Sequence, residues 1–325
     1  MEQQLFNERT DLTQLNAAVE QIRQNLSAII VGQKQTIDFL IAGLLADGHI
    51  LLEGVPGVAK TLTAKLVAKS IDASFSRIQF TPDLMPSDVI GTSVFDPKAA
   101  DFEYRRGPVF GNIILIDEIN RAPAKTQSAL FEVMEERQIT VDGTTYQLEE
   151  PFMVIATQNP IEHEGTYRLP EAQLDRFLFK IEIGYPSLEE EVLILNQQHH
   201  KKLDEELKEV KAVLTTDQIK ECRQIIKALH VEAKIIEYVA AIVHETRSNK
   251  SLHLGASPRA SLAIINTAKA FAAMQGRDFV TPEDVIKVAG PVLAHRIMLT
   301  AEKEMEGLTA NDIITQIIQK IEIPR

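Results

Sequence analysis

The sequence predicts an α/β fold in which a mostly parallel sheet is sandwiched by helices, followed by a smaller all-α domain. Short apolar runs alternate with stretches of helical periodicity from about Ile30 to Ile183. Such alternation is typical of a parallel sheet covered by helices on both faces. After Gly184-Tyr185-Pro186 the periodicity is helical alone. We therefore predict an α/β domain at residues 1–186 and a helical domain at residues 187–325.

The elements of the first domain follow in chain order. An amphipathic helix comes first and reaches about Ile30, with one face formed by Leu12, Leu15, Val19, Ile22 and Leu26. Further along the chain, the short apolar runs are strand candidates, at Ile50–Glu53, Phe75–Phe80, Asn112–Ile116, Phe152–Thr157 and Phe177–Ile183. Each is short enough to be a single buried strand.

Two short segments interrupt this alternation. Residues 102–110 predict a tight hairpin before the third strand, and residues 138–148 predict a second one with Asp142-Gly143 at its turn. Neither is needed to close the core, so both are candidates for moving parts or for structural decoration. In the helical domain, one helix opens at Leu188, and Thr281-Pro282-Glu283-Asp284 predicts a later helix with Thr281 as N-cap.

The composition is that of an ordinary globular protein. Of the 325 residues, 45% are hydrophobic and 25% are charged, and the formal net charge is −12. This balance argues against a dedicated nucleic-acid binder, which normally needs a basic face. The sequence begins with no signal-peptide pattern, and its apolar stretches are too short for a membrane span. Because Cys222 is the only cysteine, no internal disulfide can form, and we expect a cytoplasmic protein.

A glycine-rich loop lies between the first strand candidate and a helical segment that begins near Leu62. It runs Gly54-Val55-Pro56-Gly57-Val58-Ala59-Lys60-Thr61, and it differs from the phosphate-binding pattern G-x-x-x-x-G-K-[ST] only by Ala59. Its backbone N–H groups can point at phosphate oxygens, with Lys60 bridging the β- and γ-phosphates and Thr61 holding Mg²⁺. The added methyl group is acceptable if Ala59 has right-handed helical dihedrals. The alternative is a chance glycine-rich turn.

Polar side chains follow two further strand candidates. Asp117 and Glu118 end the run that begins at Asn112, and Asn159 ends the run that begins near Phe152. Ligands bind at the carboxyl ends of parallel strands, where Asp117 suits a Mg²⁺ site and Glu118 suits polarisation of an attacking water. Asn159 could hydrogen-bond the γ-phosphate or that water. The alternatives are two acids that cap the next helix and an ordinary turn asparagine.

These residues resemble the nucleotide site of AAA+ ATPases of the P-loop NTPase class, with the closest match to the MoxR family. The resemblance extends from about Val31 to Ala294, and the motifs that carry it are Gly54–Thr61, Asp117-Glu118, Asn159, Leu174–Phe177 and Gly255–Arg259. Ala59 is a common variant in that family. The two hairpins resemble the insertion in helix 2 and the hairpin before sensor 1 that mark this clade.

The resemblance implies a role for each matching residue. Lys60 and Thr61 would hold phosphate and Mg²⁺, Asp117 and Glu118 would be the acidic pair, and Asn159 would be sensor 1. Val31-Gly32-Gln33 would line the adenine pocket, with Tyr185 at the nearby hinge.

Two arginines would complete the site by resemblance. Arg176 matches the arginine finger, which acts on the ATP of a neighbouring subunit, and Arg259 matches sensor 2. Arg168 is a rival for the finger. Arg176 could instead form a structural salt bridge to Asp175 or another acid, and Arg259 could be a solvated arginine at a helix start. A finger acting between subunits requires an oligomer, and the resemblance implies a hexameric ring.

The resemblance implies ATP hydrolysis coupled to remodelling, maturation or activation of a protein client, through a partner that often carries a von Willebrand factor A domain. One alternative is a nucleic-acid motor or transcription-activating ATPase. The sparse basic residues on the hairpins, Arg105, Arg106 and Arg137, weigh against it. Another alternative is a nucleotide-gated scaffold with little turnover.

Overall fold

The structure is a computed structural model that describes residues 10–55, 57–159, 167, 169–200, 207 and 209–324. Its strands are β1 His49–Gly54, β2 Phe75–Gln79, β3 Gly91–Asp96, β4 Asp101–Arg106, β5 Ile113–Asp117, β6 Gln138–Val141, β7 Thr144–Gln147, β8 Met153–Gln158, β9 Phe177–Ile183, β10 Leu252–Leu254 and β11 Met298–Leu299. Its helices are α1 Thr13–Ile29, α2 Lys34–Leu45, α3 Lys60–Ser70, α4 Pro86–Ile90, α5 Ala124–Glu136, α6 Glu171–Leu174, α7 Leu188–His200, α8 Thr216–Ala228, α9 Ala233–Ser248, α10 Pro258–Met274, α11 Pro282–Leu293, α12 Ala301–Met305 and α13 Ala310–Lys320.

A five-stranded parallel sheet forms the centre, with strand order β2-β5-β8-β1-β9. These are the strands that the apolar runs predict, with ends that differ by one residue at most. Because all five are parallel, their carboxyl ends meet at one edge and their amino ends at the other. We call these the carboxyl edge, where Gly54 and Asp117 lie, and the amino edge, where His49 and Phe177 lie.

Each face of the sheet carries its own apolar core. On one face Phe39 of α2 packs edge-on against Phe179 of β9 and Phe271 of α10, with ring centroids 5.1 Å apart in both pairs. On the other face Phe131 of α5 packs against Phe177 of β9. The first core is continuous from α1 to α13, so it crosses the boundary drawn at residue 186, and that boundary stays a prediction.

The second hairpin is confirmed and the first is displaced. Strands β6 and β7 pair around Asp142 and Gly143, whose φ values of 50° and 78° suit a tight hairpin turn. The first hairpin pairs β3 with β4 and turns at residues 97–100, so the span predicted at 102–110 is wrong. Gly107, within the predicted span, lies just after β4 rather than in the turn. A Cβ there would collide with the backbone of Val89, so this glycine permits close approach at the base of the hairpin.

The two hairpins contact each other. The rings of Tyr104 and Tyr146 lie 4.6 Å apart, and the Ser93 hydroxyl donates to Asp142. Phe95 and Phe102 pair closer to the turn of the first hairpin, where their rings stack edge-on at 5.4 Å and both are more than half exposed. The hairpins therefore form one paired projection from the α/β core.

The chain after Ile183 is helical, as predicted, with one addition. Strands β10 and β11 form a two-stranded antiparallel ladder, too short for the sequence periodicity to reveal. Thr281 begins α11 as expected, and its backbone N–H donates to Asp284 Oδ2 at 2.9 Å. No helix among the described residues is both long and apolar enough to cross a membrane.

Candidate nucleotide site

The glycine-rich loop connects β1 to α3 at the carboxyl edge, which is the strand–loop–helix setting that the sequence predicts. Pro56 lies outside the described residues. Lys60 is the first residue of α3, and its Nζ folds back to donate to the Gly54 carbonyl at 2.6 Å. The ammonium group therefore lies against its own loop beside a helix N-terminus, a setting that favours an anion.

Ala59 departs from expectation. Its φ and ψ are 59° and 19°, in the left-handed region, so the right-handed conformation that would accept a methyl group without strain is not the one observed. The chain needs this turn because Ala59 is the N-cap of α3, and its carbonyl accepts the backbone N–H and the hydroxyl of Thr63. An L-residue in this region costs roughly 1–2 kcal/mol relative to glycine. Ala59 also packs against the apolar core, which offsets part of that cost.

Side chains from three other segments contact the Asp117 carboxylate at the carboxyl edge. The Asp117 side chain is buried, and Oδ2 lies 3.4 Å from Thr61 Oγ1, so the loop and the acidic strand end come together as predicted. Thr157 Oγ1 donates to Oδ1 at 3.2 Å. Arg77 of β2 donates through Nε to Oδ2 at 2.6 Å. A hydroxyl and a carboxylate oxygen at this spacing are ligands that suit Mg²⁺.

Glu118 is held just outside that cluster. It has φ 57° and ψ 53°, and its carboxylate accepts from Gln79 Nε2 at 2.9 Å and from Arg121 Nε at 3.1 Å. It makes no side-chain cap bond to the short turn that follows, so the helix-capping alternative fails for this residue. Non-glycine residues in such backbone positions concentrate at functional sites.

Asn159 follows β8 and is buried. The strand order places β8 between β5 and β1, so Asn159 lies on the carboxyl edge between Asp117 and the loop. The contact with the γ-phosphate that the sequence predicts for Asn159 stays a prediction.

A cavity of about 340 Å³ opens beside the loop. It is lined by the predicted adenine-pocket residues Val31, Gly32, Gln33 and Tyr185, together with Val58, Ala59 and Leu62. Gln33 Nε2 donates to the Val58 carbonyl at 3.1 Å, while Gln33 Oε1 is buried and accepts no hydrogen bond. An orphaned acceptor fits the amino group of adenine. Helix α7 also lines the cavity, through Glu190, Ile194 and Gln197, which the sequence reading missed.

The two predicted arginines lie together, away from this cavity. Arg176 Nη1 donates to the Phe131 carbonyl at 2.6 Å and lies 3.4 Å from Glu135 Oε2. Arg259 Nη2 donates to Glu135 Oε1 at 2.8 Å. Arg176 thus pairs with Glu135 rather than with Asp175, and Arg259 is paired although half of its side chain is exposed. Arg168, the rival finger, lies outside the described residues.

Strand register fixes where this arginine pair lies. Phe177, next to Arg176, pairs with His49 at the amino edge, whereas Gly54 pairs with Ile183 at the carboxyl edge. Five residues of strand separate the two edges by about 16 Å. The end of α5, which carries Glu135, lies at the same edge, because His49 Nε2 contacts the Met134 carbonyl at 3.1 Å. Neither arginine can therefore reach the loop of its own chain in this conformation.

Sequence reasoning missed four charged or polar residues near these groups. Arg77 and Gln79 alternate along β2, so their shared face was a usable signal. Glu135 gave no signal, because a glutamate near a helix end is common. Arg296 gave none either, since its partner Asp175 is 121 residues away.

A loop of this geometry, followed by an acidic strand end and set on a five-stranded parallel sheet, defines a P-loop ATPase of the AAA+ class. Residues 49–179 match the ATPase family associated with various cellular activities (AAA), and residues 244–317 match the AAA lid domain.

Similar proteins indicate which family of AAA+ ATPases this chain belongs to. The chain is 46% identical to "Chaperone MoxR1" of Mycobacterium tuberculosis, over 91% of this chain and 80% of that protein. It is 47% identical to "Uncharacterized protein YeaC" of Bacillus subtilis over 95% of each. A crystal structure of a protein from Cytophaga hutchinsonii superposes with a TM-score of 0.88 at 42% identity, covering 95% of this chain and 96% of that one. The chain belongs to the MoxR family of AAA+ ATPases.

Proposed function

We propose that this ATPase binds ATP with Mg²⁺ at the carboxyl edge and uses hydrolysis to remodel a protein client. The adenine would occupy the cavity at Val31–Gln33, and the phosphates would lie on the loop at residues 54–61. The orphaned Gln33 Oε1 and the pairing of Thr61 with Asp117 support this placement. Mg²⁺, when bound, would neutralise charge on the β- and γ-phosphates.

Each residue of the site then has a distinct task. Lys60 leaves the Gly54 carbonyl to contact phosphate oxygens, a small movement for a flexible side chain. Glu118 leaves Gln79 and accepts a proton from the attacking water. Asn159 follows β8, which lies between β5 and β1, and from there it orients that water or the γ-phosphate.

We further propose that the site is completed by a neighbouring copy of the chain. The observation that carries this step is the position of Arg176, one strand length from its own loop. Arg259 lies at the same edge, 2.8 Å from the same glutamate. Arginines that stabilise charge on a transferring phosphoryl group are worth roughly 10³–10⁵ in rate, so a lone chain would hydrolyse ATP slowly. A hexameric ring satisfies this arrangement.

Mixing two inactive variants tests the shared site. Lys60→Ala removes the phosphate ligand but keeps Arg176, and Arg176→Ala keeps the phosphate loop. If the site is shared, a mixture regains ATPase activity that neither variant shows alone. The control is the double variant Lys60→Ala/Arg176→Ala mixed with Arg176→Ala, which must stay inactive. Absence of rescue in assemblies shown to contain both variants would refute the shared site.

A protein client is the best-supported substrate. The similarity to "Chaperone MoxR1" supports it, and Phe95 and Phe102 offer exposed aromatic surface on the paired hairpins. A partner with a von Willebrand factor A domain and a cytoplasmic location remain part of this proposal. Nucleic acid is less favoured, because Arg106 stacks on Phe110 and Arg137 pairs with Asp47.

Capture of the client tests this part. Glu118→Gln should hold ATP without hydrolysing it and retain bound client, whereas Lys60→Ala should not. A protein recovered with Glu118→Gln only in the presence of ATP would support the remodelling role. Equal recovery with both variants would contradict it, as would ATP-dependent binding of DNA at low salt without any protein.

A further inference from the structure

The segment that carries Arg176 is tied to the lid by a buried ion pair. Arg296 follows α11, and its Nε donates to Asp175 Oδ1 at 2.7 Å. The Arg296 side chain is 3% exposed and that of Asp175 is 19% exposed. Burial lowers the pKa of Arg296, and the Asp175 carboxylate opposes that shift. Removing one partner of such a pair leaves an uncompensated buried charge.

The remaining donors of Arg296 hold the start of β9. Nη2 donates to the Phe177 carbonyl at 2.6 Å and to the Asp175 carbonyl at 3.1 Å. Nη1 donates to the Leu178 carbonyl at 3.2 Å. The planar guanidinium fixes these directions together, which a lysine in its place could not do. The backbone on both sides of Arg176 is therefore fastened to one lid residue.

The same Asp175 carboxylate also contacts the start of the helix that carries Arg259. Asp175 Oδ2 accepts from the Ser257 hydroxyl at 3.0 Å, and Ser257 is the N-cap of α10, two residues before Arg259. Asp175 itself directly precedes Arg176. One acidic side chain thus fixes the backbone next to both arginines, while Glu135 holds their guanidinium groups.

We propose that Asp175 and Arg296 are positioning residues that make Arg176 and Arg259 a single rigid unit. This inference rests on the proposed function, in which both arginines act on the ATP of a neighbouring subunit. These contacts hold the lid against the start of β9, so the seating of the lid in one subunit sets the transition-state contacts that both arginines make in the next. Misplacement by about 1 Å can cost as much as roughly 100-fold in rate, which is the scale this unit would protect.

Donor variants in the mixing experiment test the proposal. One variant, the acceptor, is Arg176→Ala and supplies the phosphate loop. The other, the donor, supplies the arginines and is Lys60→Ala carrying in addition Asp175→Asn or Ser257→Ala. We expect kcat of the rescued reaction to fall about 10- to 100-fold with Asp175→Asn and less with Ser257→Ala. KM for ATP should stay unchanged, because the acceptor supplies the loop and the cavity. A donor with Ser248→Ala is the matched control, since that hydroxyl bonds only within α9.

The outcomes separate the two proposals. If the plain Lys60→Ala donor fails to rescue, the shared site is wrong. If it rescues and both altered donors rescue equally well, the positioning role is overturned. A rise in KM with unchanged kcat overturns it as well. Donors are compared by thermal unfolding and by assembly size, and if Asp175→Asn does not fold, Ser257→Ala decides the question.

Discussion

Arg77 donates its Nε to Asp117 Oδ2 at 2.6 Å, and this is the oxygen that Thr61 Oγ1 approaches at 3.4 Å. An arginine thus occupies part of the coordination space of the carboxylate that we assign to Mg²⁺. Half of the Arg77 side chain is exposed, so it can leave at small cost.

Replacing Arg77 should therefore ease the entry of Mg²⁺. We expect Arg77→Gln to lower by about two- to fivefold the Mg²⁺ concentration that half-saturates binding of a fluorescent ATP analogue, since a contact of about 0.5–1 kcal/mol is removed. Arg105→Gln, an exposed change on the first hairpin, is the control. An unchanged or higher requirement for Mg²⁺ would show that Arg77 does not compete.

Glu118→Gln should separate binding from hydrolysis. The amide keeps the shape of the side chain but cannot accept a proton, so we expect turnover to fall about 10²- to 10⁴-fold. The affinity for ATP should change little, because the loop and the cavity are untouched. Single-turnover hydrolysis and equilibrium binding measure the two quantities. A variant that binds ATP and still turns over at the original rate would remove Glu118 from the mechanism.

Ala59→Gly tests the backbone of the loop. Glycine adopts a φ of 59° without strain, which stabilises the folded loop, whereas its greater entropy in the unfolded chain opposes this gain. Because the relief of strain is the larger effect, we expect the free energy of unfolding to rise by about 0.5–1 kcal/mol. The control is Ala64→Gly within α3, which should lower it by about 1 kcal/mol or more. Equal losses in chemical denaturation would instead indicate that Ala59 has a right-handed conformation.

Two buried histidines should make stability depend on pH. Burial lowers the pKa of His49 to about 4, and burial beside Arg296 lowers the pKa of His295 well below its usual value. Because the unfolded chain binds these protons near pH 6.5, stability is fully present above that pH. It should decline as pH falls toward 4, by on the order of 3 kcal/mol for His49 alone.

Denaturant titrations between pH 4 and 8 measure this decline. His49→Gln removes one of the two titrating groups and should flatten the curve, although the variant starts from lower stability because Val154 N–H donates to the His49 ring. A wild-type curve with no slope below pH 6.5 would contradict the assignment.

The sequence predicts well whatever depends on neighbours along the chain. Strands β5 and β8 are visible in the sequence as apolar runs, and Asp117 and Glu118 lie at the end of the first of them. Knowing that parallel strands end at a common edge then suffices to bring Thr61 and Asp117 together. The family resemblance supplied the arginines, which no local pattern identifies.

What the sequence could not predict depends on distant pairs and on backbone detail. The partner of Arg296 lies 121 residues away, and nothing in either segment indicates the other. Glu135 connects two arginines from separate elements in the same way. The left-handed conformation of Ala59 is a backbone detail that its residue type does not indicate, and Gly107 marks a close backbone approach at the base of the first hairpin rather than its turn.

Lys60 and Arg176 lie at opposite ends of the central strands. Under the proposed function, each subunit therefore offers a phosphate loop at one end and arginines at the other. Head-to-tail association completes one site per contact. An open row always leaves one phosphate loop without its arginines, and only closure of the row supplies every subunit.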